Sequence, residues 1–290
     1  MSKKLGVAVI GCGHWGPNHL RNFSAFPDSA VKLAVDVSPK SLARVAQMFP
    51  GIPTSVDPKK AFSDKGVQAV VISTPTATHY ELVRAALNAG KHVLCEKPLC
   101  QSADEARELE LLARKKGLIL MVGHVFLFNA GVAKLKELLE AKELGKLHYL
   151  SSTRTNLGPI RSDVNAAYDL AAHDVSIFNW LLGSEPEWVS ATGASFVQVG
   201  IEDVVFMTLK YPSGVFATVH ASWLNPKKVR QMTIVGSKKM ITWDDLETTT
   251  PVAVYDRGAA VDFSYKDFGE FLRVQMWDGE VRLPKVPLEE

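Results

Sequence analysis

Long apolar runs are missing from this sequence. None approaches the roughly 18 consecutive apolar residues that cross a bilayer, so no transmembrane helix is expected. The opening MSKKLGVAVIGCG places two lysines before an apolar run, as a secretory signal does. Gly11, Gly13 and Gly16 interrupt that run early, however, and no small-residue cleavage site follows a long apolar core. Cysteine is scarce. Cys12, Cys95 and Cys100 lack the paired spacing of a zinc site and read as free thiols of a reducing cytosol. Neither a metal nor a disulfide is therefore expected, and the location is read as cytoplasmic. An excess of one charge sign is lacking too. With 33 Lys plus Arg against 31 Asp plus Glu the net charge is +2, which implies no general attraction to nucleic acid or to a membrane. Runs of like charge, low-complexity segments and internal repeats are absent as well.

What is present falls into two halves with different patterning, a length of 290 residues being suited to two domains. Up to about Val122, short apolar runs alternate with helical patterns. The runs are VAVI (7–10), KLAVDV (32–37), AVVIS (69–73), HVLC (92–95) and LILMV (118–122). Continuous apolar runs suit strands buried on both faces, as in a parallel sheet. Between them, helical patterns cover 41–49, 79–89 and 102–116. The last of these opens on Ser-Ala-Asp-Glu, a capping box, and stops at Gly117. This alternation predicts an α/β fold with a Rossmann doubly wound parallel sheet over residues 1–124. Residues 125–290 predict an α+β domain with a mainly antiparallel open sheet. Helices are expected over 129–144 and 166–182, and strands from 147, over 203–210, 215–223, 229–235 and 239–243. In 215–223 apolar Val215, Ala217, Val219 and Ala221 alternate with Phe216, Thr218, His220 and Ser222, a period of two.

Gly11-Cys12-Gly13-His14-Trp15-Gly16 fits G-x-G-x-x-G, and its place after strand VAVI and before a helix gives the match weight. Gly11 allows the tight turn, Gly13 leaves room for a pyrophosphate, and Gly16 lets the helix pack closely. The helix N-terminus offers free N–H groups and partial positive charge. Asp36 stands where an acid that holds the adenosine ribose belongs. A carboxylate there repels a 2′-phosphate, which favours NAD over NADP, although Lys40 is a nearby cation. Two further segments lie at the carboxyl ends of later strands, where ligands of such sheets bind. They are Ser73-Thr74-Pro75-Thr76 and Glu96-Lys97-Pro98. The ammonium of Lys97 could steady a developing alkoxide, and Pro98 confines the backbone of Lys97 to extended geometry.

The glycine turn, S-T-P-T-x-x-H (73–79) and A-G-K-H-V-L-C-E-K-P (89–98) together resemble the glucose–fructose oxidoreductase / inositol dehydrogenase / MocA (Gfo/Idh/MocA) family over nearly the whole chain. The resemblance implies a two-domain NAD(P)-dependent dehydrogenase of sugars and polyols. It implies that Lys97 contacts the reacting hydroxyl and that Thr74 and Pro75 lie by the nicotinamide ribose. The implied cofactor-binding set is Gly11, Gly13, His14, Trp15, Gly16, Asp36, Ser38, Thr74, Pro75, His79, Glu96 and Lys97. A second family feature, an aspartate four residues before a histidine, is matched by Asp169 and His173, which share a helix face. The implied catalytic set is Lys97, His173 as base and Asp169 as its orienter or as a substrate ligand. Asp174 is a weaker candidate.

Arg154, Asn156 and Arg161, read as a connector between strand and helix, are expected to bind substrate together with Lys97, Asp169 and His173. Lys227, Lys228 and Arg230 add basic charge further along, and as a group the basic residues favour an anionic substrate only modestly. The pattern is similar to that of family members oxidising the 3-hydroxyl of UDP-N-acetylglucosamine or its uronate in surface-glycan assembly. A free polyol or sugar such as an inositol is the alternative, and a non-catalytic NAD-binding regulator is a second one. The resemblance also implies a homo-oligomer, dimer or tetramer, formed through the second-domain sheet. Family members usually continue beyond the point where this chain ends in VRLPKVPLEE, so the resemblance implies either a truncated C-terminal end or a short member.

Overall fold

A computed structural model describes residues 4–262 and 273–287. The expectations about the two chain ends fall partly on 1–3 and 288–290, outside the described residues. The chain divides into two compact units, Met1–Gly123 and His124–Glu290.

The first unit carries strands β1 (Leu5–Ile10), β2 (Ser29–Val35), β3 (Thr54–Ser55), β4 (Ala69–Ile72), β5 (His92–Cys95) and β6 (Leu120–Val122). Its helices are α1 (Gly16–Ala25), α2 (Pro39–Met48), α3 (Lys59–Ser63), α4 (His79–Asn88) and α5 (Ala103–Lys116). The sheet is wholly parallel, in the order β3-β2-β1-β4-β5-β6. Alternation along β1 shows why the strand reads as one apolar run. Val7 and Val9 pack with Leu20, Leu42 and Val45 of α1 and α2, while Ala8 and Ile10 pack with Val83, Leu87 and Leu109 of α4 and α5. Both faces are covered, so no position can be polar. Ser102 caps α5 by accepting from the Asp104 amide, and Gly117 ends it in the left-handed conformation at φ +63°. The sheet order reverses between β1 and β4, the switch point at which such sheets bind ligands.

The second unit carries α6 (Ala130–Glu140), β7 (Leu147–Leu157), a π-helical turn at Ala167–Ala171, and α7 (Ala172–Leu182). Strands β8 (Trp188–Ala194), β9 (Val204–Lys210), β10 (Phe216–Ser222), β11 (Leu224–Gly236), β12 (Met240–Asp244), β13 (Val252–Asp262) and β14 (Arg273–Arg282) follow. Their order is β14-β13-β12-β11-β7-β10-β9-β8. Among the described residues only the β7–β10 pair of this sheet is parallel, so the mainly antiparallel sheet expected from the sequence is found. Leu135, Leu138, Ile177 and Phe178 of the helices bury one face against Leu150, Val219, Ile234 and Trp243. Tyr149, Trp188, Phe206 and Phe216 are exposed.

Four strands, β3, β8, β13 and β14, are not legible in the sequence. β8 lies exposed along nearly its whole length, so it shows no inside–outside alternation. The expected connector at 154–161 begins inside a strand, because β7 runs through Leu157. That register has a consequence. Leu150, Ser152 and Arg154 share the inward face of β7, and Asp174 shares the buried face of α7 with Ile177, Phe178 and Leu181, at helical spacing. Arg154 Nε and Nη2 donate to the two Asp174 oxygens at 2.7 and 3.2 Å, with both side chains 2% exposed. Burial pushes the Asp174 carboxyl up, against the downward pull of Arg154.

Removing one member of such a pair strands the other charge in the interior. Asp174→Ala or Arg154→Ala should each lower the unfolding free energy by about 3–5 kcal/mol, whereas Arg154→Met with Asp174→Leu should recover most of the loss. Urea melts of the three variants check this, and single-variant losses under about 1 kcal/mol would contradict it.

Candidate functional site

In the first unit the ends of β1, β2, β4 and β5 gather the expected cofactor residues. Gly11 has φ +94°, and a Cβ on it would lie 2.5 Å from the Ser73 carbonyl oxygen, so the glycine turn and the 73–76 loop touch backbone to backbone. A Cβ on Gly16 would strike the Gly11 oxygen at 2.2 Å, which explains the third glycine. A Cβ on Gly13 would meet nothing within 4 Å, leaving an open approach to the turn just before the N-terminus of α1. His14 and Trp15 stand exposed on that turn, their rings edge to face. Asp36 is tied to the same turn. Its Oδ2 accepts from the Cys12 amide at 2.7 Å and its Oδ1 from the Ser38 amide at 2.8 Å. A carboxylate offers about four acceptor sites, so two remain for a ribose diol. Ser38 also caps α2. Burial, with Asp36 adding to it, pushes the Cys12 thiol up to about 12, so it stays neutral beside the turn. Open glycine turn, helix N-terminus and oriented acid together fit a dinucleotide.

The 73–76 loop and the lysine turn lie on the same side of this sheet. Ser73 Oγ donates to the Gly11 oxygen at 2.8 Å, and Thr78 donates to Thr74 Oγ1 at 2.7 Å. Pro75 begins a short 3-10 turn that leads into α4. Glu96 and Lys97 follow β5 directly, and the Lys97–Pro98 peptide is cis. Two expectations change here. His79 is 1% exposed, and its Nδ1 and Nε2 lie 2.9 Å from the Pro98 oxygen and 2.8 Å from the Thr74 oxygen. Both ring nitrogens are taken by the chain's own backbone, so His79 does not contact a cofactor directly. The cation that reaches the glycine turn is Arg44, which donates to the Cys12 and Gly13 oxygens at 2.8 and 3.2 Å. Lys40 was the cation read from sequence, but Arg44 lies one helical turn further on, at i+4.

In the second unit Asp169 lies in the π-helical turn and His173 in the first turn of α7. Such turns occur often at functional sites. Asp169 is held by two donors, Arg161 Nη1 at 3.2 Å and Trp223 Nε1 at 3.1 Å. The His173 ring packs edge-on against Phe126 with centroids 4.8 Å apart. Phe126 is overlaid by the guanidinium carbons of Arg154 at 4.3 Å and Arg230 at 5.5 Å. Asn156 is half-buried on β7, with its amide packed over Gly158.

The expected role of Arg154 is corrected, since its guanidinium is buried on Asp174 and faces the core. The charge argument weakens with it. Arg161 pairs with Asp163 and Asp169, and Arg230 with Asp245. Hydrogen bonding to Asp163 raises the Arg161 pKa further, so that charge is permanent but already answered. Sequence reasoning did not reach His19, Arg44, Phe126 or Trp223. Each acts through a contact made at long range, and no local spacing signals it. Among the described residues no cluster of His, Cys, Asp and Glu could hold a metal, and no helix is long and apolar enough to cross a membrane.

Comparison with known proteins agrees with this arrangement. Residues 5–124 match the family model described as "Oxidoreductase family, NAD-binding Rossmann fold", and residues 132–242 match the GFO/IDH/MocA C-terminal domain. The UDP-N-acetylglucosamine 3-dehydrogenase of Acidithiobacillus ferrooxidans is 31% identical over 88% of this chain and 78% of its own length. The scyllo-inositol 2-dehydrogenase (NAD(+)) of Bacillus subtilis is 30% identical over 78% of this chain and 69% of its own. The crystal structure of GenD2 from gentamicin A biosynthesis in complex with NAD superposes with a TM-score of 0.81 at 25% identity, covering 98% of this chain and 81% of that one. This chain belongs to the Gfo/Idh/MocA family and is an NAD(P)-dependent oxidoreductase acting on CH–OH groups.

Proposed function

We propose that this protein oxidises a secondary ring hydroxyl of a sugar, with NAD as cofactor, and that the 3-hydroxyl of a UDP-N-acetylhexosamine or its uronate is the first substrate to test. The observation that carries the oxidation chemistry lies within the second unit, where Asp169, anchored in the π-helical turn by Trp223 and Arg161, precedes His173 of α7 by four residues; the ammonium of the E-K-P turn is the complementary group of the first unit. The bound dinucleotide supplies the hydride acceptor. His173 takes the hydroxyl proton, Lys97 steadies the oxygen as it gains negative charge, and Asp169 orients the histidine or the substrate. Asn156 and Arg161 border the substrate. Gly11, Gly13, His14, Trp15, Gly16, Asp36, Ser38, Thr74, Pro75, Glu96 and Lys97 serve the cofactor. The nucleotide-sugar reading is supported by the likeness to the UDP-N-acetylglucosamine 3-dehydrogenase of Acidithiobacillus.

A second reading, a free cyclic polyol such as an inositol, is favoured by one structural fact. Arg154, Arg161 and Arg230 are each paired with an acid, so the arginine share of the positive charge counted toward an anionic substrate is answered inside the unit. The protein is proposed to work in the cytoplasm as a homo-oligomer through the exposed sheet face, where Tyr149, Phe206 and Phe216 stand.

A screen of NADH formation with UDP-N-acetylglucosamine, its uronate, inositols and free hexoses separates the two readings. Turnover with a UDP-sugar alone supports the first and turnover with a polyol alone supports the second, while NAD binding without turnover on any of them points to a regulator. Lys97→Ala should lower kcat by about 100- to 1,000-fold. His173→Ala should lower it by about 100- to 10,000-fold. His173→Ala should leave the NAD dissociation constant within about threefold, as measured by titration. A variant retaining more than about a tenth of wild-type kcat would remove that residue from the chemistry. Asp36→Ser should shift the NAD-to-NADP preference toward NADP by at least about tenfold, since it removes the charge that repels a 2′-phosphate and leaves Arg44 beside the turn. Initial rates with each cofactor measure it, and an unchanged ratio would deny Asp36 that role.

A further inference from the structure

Strand pairing holds the chain only as far as the start of the lysine turn. The Glu96 amide donates to the Ile72 oxygen and the Cys95 oxygen accepts from the Gly123 amide. Beyond that point two histidines grip the residues on either side of Lys97. Ahead of it, Glu96 Oε1 lies 2.9 Å from His19 Nε2, with side chains 11% and 15% exposed. Behind it, the Pro98 oxygen lies 2.9 Å from Nδ1 of the buried His79, whose Nε2 reaches the Thr74 oxygen at 2.8 Å. Gly123 closes the far side of the acid, since a Cβ there would come within 3.2 Å of Glu96 Oε2.

The two histidines come from two different cofactor elements. His19 is the fourth residue of α1, the helix that the glycine turn opens. His79 is the first residue of α4, the helix that follows the 73–76 loop. We propose that His19 and His79 are positioning residues which clamp the Lys97 turn between the two cofactor loops, so that the lysine is registered against the cofactor site rather than against its own strand alone. This rests on the dehydrogenase reading for its consequence in catalysis but not for the clamp itself. The donor inventory supports it. Both partners of His79, the Thr74 and Pro98 oxygens, are carbonyls that only accept, so the ring meets them from the donor side. A side chain that closes two backbone segments by two such bonds is a strut rather than a filler. Misplacement of a reacting group by about 1 Å is enough to cost about 100-fold in rate.

The test uses the full chain with His79→Ala, His19→Ala and His19→Gln, whose amide can still donate to Glu96. Hydrogen exchange followed by mass spectrometry reads the clamp without any turnover. His79→Ala should speed exchange in the segments covering 74–79 and 96–101, and His19→Ala in 96–101, with β1 and β4 unchanged. In turnover, His79→Ala should lower kcat by about 10- to 100-fold with KM changed less than about threefold, and His19→Ala by about tenfold, with Gln restoring it to within about threefold. Folded variants whose 96–101 exchange and kcat stay within twofold of wild type would overturn the clamp. Should His79→Ala fail to fold, the His19 pair of variants decides by the same two readouts. If wild type turns over none of the sugars, the dehydrogenase reading falls, and the exchange pattern still upholds or overturns the clamp.

Discussion

A parallel sheet ends its strands with backbone groups that have no further strand to pair with, and each must find a partner or meet water. In the first unit that constraint and the ligand site occupy the same few residues. The Cys12 amide is answered by Asp36, the Gly11 oxygen by Ser73, the Cys12 and Gly13 oxygens by Arg44, and the Thr74 and Pro98 oxygens by His79. Each side chain that satisfies a strand end also fixes a loop that would otherwise be mobile. The cofactor loops are thus preformed by the same bonds that complete the fold. Glycine at 11, 13 and 16 is the steric side of the same arrangement, because loops held this close to one another leave no room for a Cβ at the first and third positions.

The second unit solves a different problem. The π-helical turn and α7 carry a polar pair, Asp169 and His173, while α7 buries its other face in an apolar core. The face that enters the core carries Asp174, and burying that carboxylate would be costly without a partner. Arg154 from β7 supplies one with two hydrogen bonds and also lies over the ring of Phe126, which meets the His173 ring edge to face. The ion pair therefore stands behind the imidazole and does not face a ligand. Such pairs contribute more to geometry than to net stability, since their desolvation cost nearly offsets their attraction. The π-helical turn that precedes α7 sets Asp169 where Trp223 and Arg161 can both reach it.

Legibility in the sequence follows from how local each cause is. The parallel strands show because burial on both faces leaves an unbroken apolar run, and α5 shows because its cap and its terminal glycine lie within the helix's own sequence. The glycine turn and the E-K-P turn are legible as short local patterns, whereas the bonds that tie Asp36 to the Cys12 amide and Glu96 to His19 span 24 and 77 residues and are not. Strand β8 is not, since its side chains are exposed nearly throughout and no alternation survives. Arg154 was misread for the opposite reason. An arginine in an irregular-looking segment reads as exposed, and only the register of β7 reveals that it shares a face with Leu150. His79 was half legible. Its place at the start of a helix is in the motif, but the two carbonyls it joins lie five and nineteen residues away.

The same long-range pairings bear on how a substrate would be told apart. If the arginines of the second unit are engaged with Asp174, Asp163, Asp169 and Asp245, then charge is spent on building the site, and discrimination falls to groups that recognise hydroxyls. Asp169, His173 and Asn156 are of that kind, able to accept from or donate to a ring hydroxyl in a fixed direction. A site built this way rejects an analogue lacking the hydroxyl far more strongly than one differing by a methylene, because its own polar groups are left unpaired. Selectivity among epimers of a sugar or an inositol is the natural output of such a site. A nucleotide, where one is present, would then add affinity through contacts remote from the reacting carbon and leave the choice of hydroxyl to these three side chains.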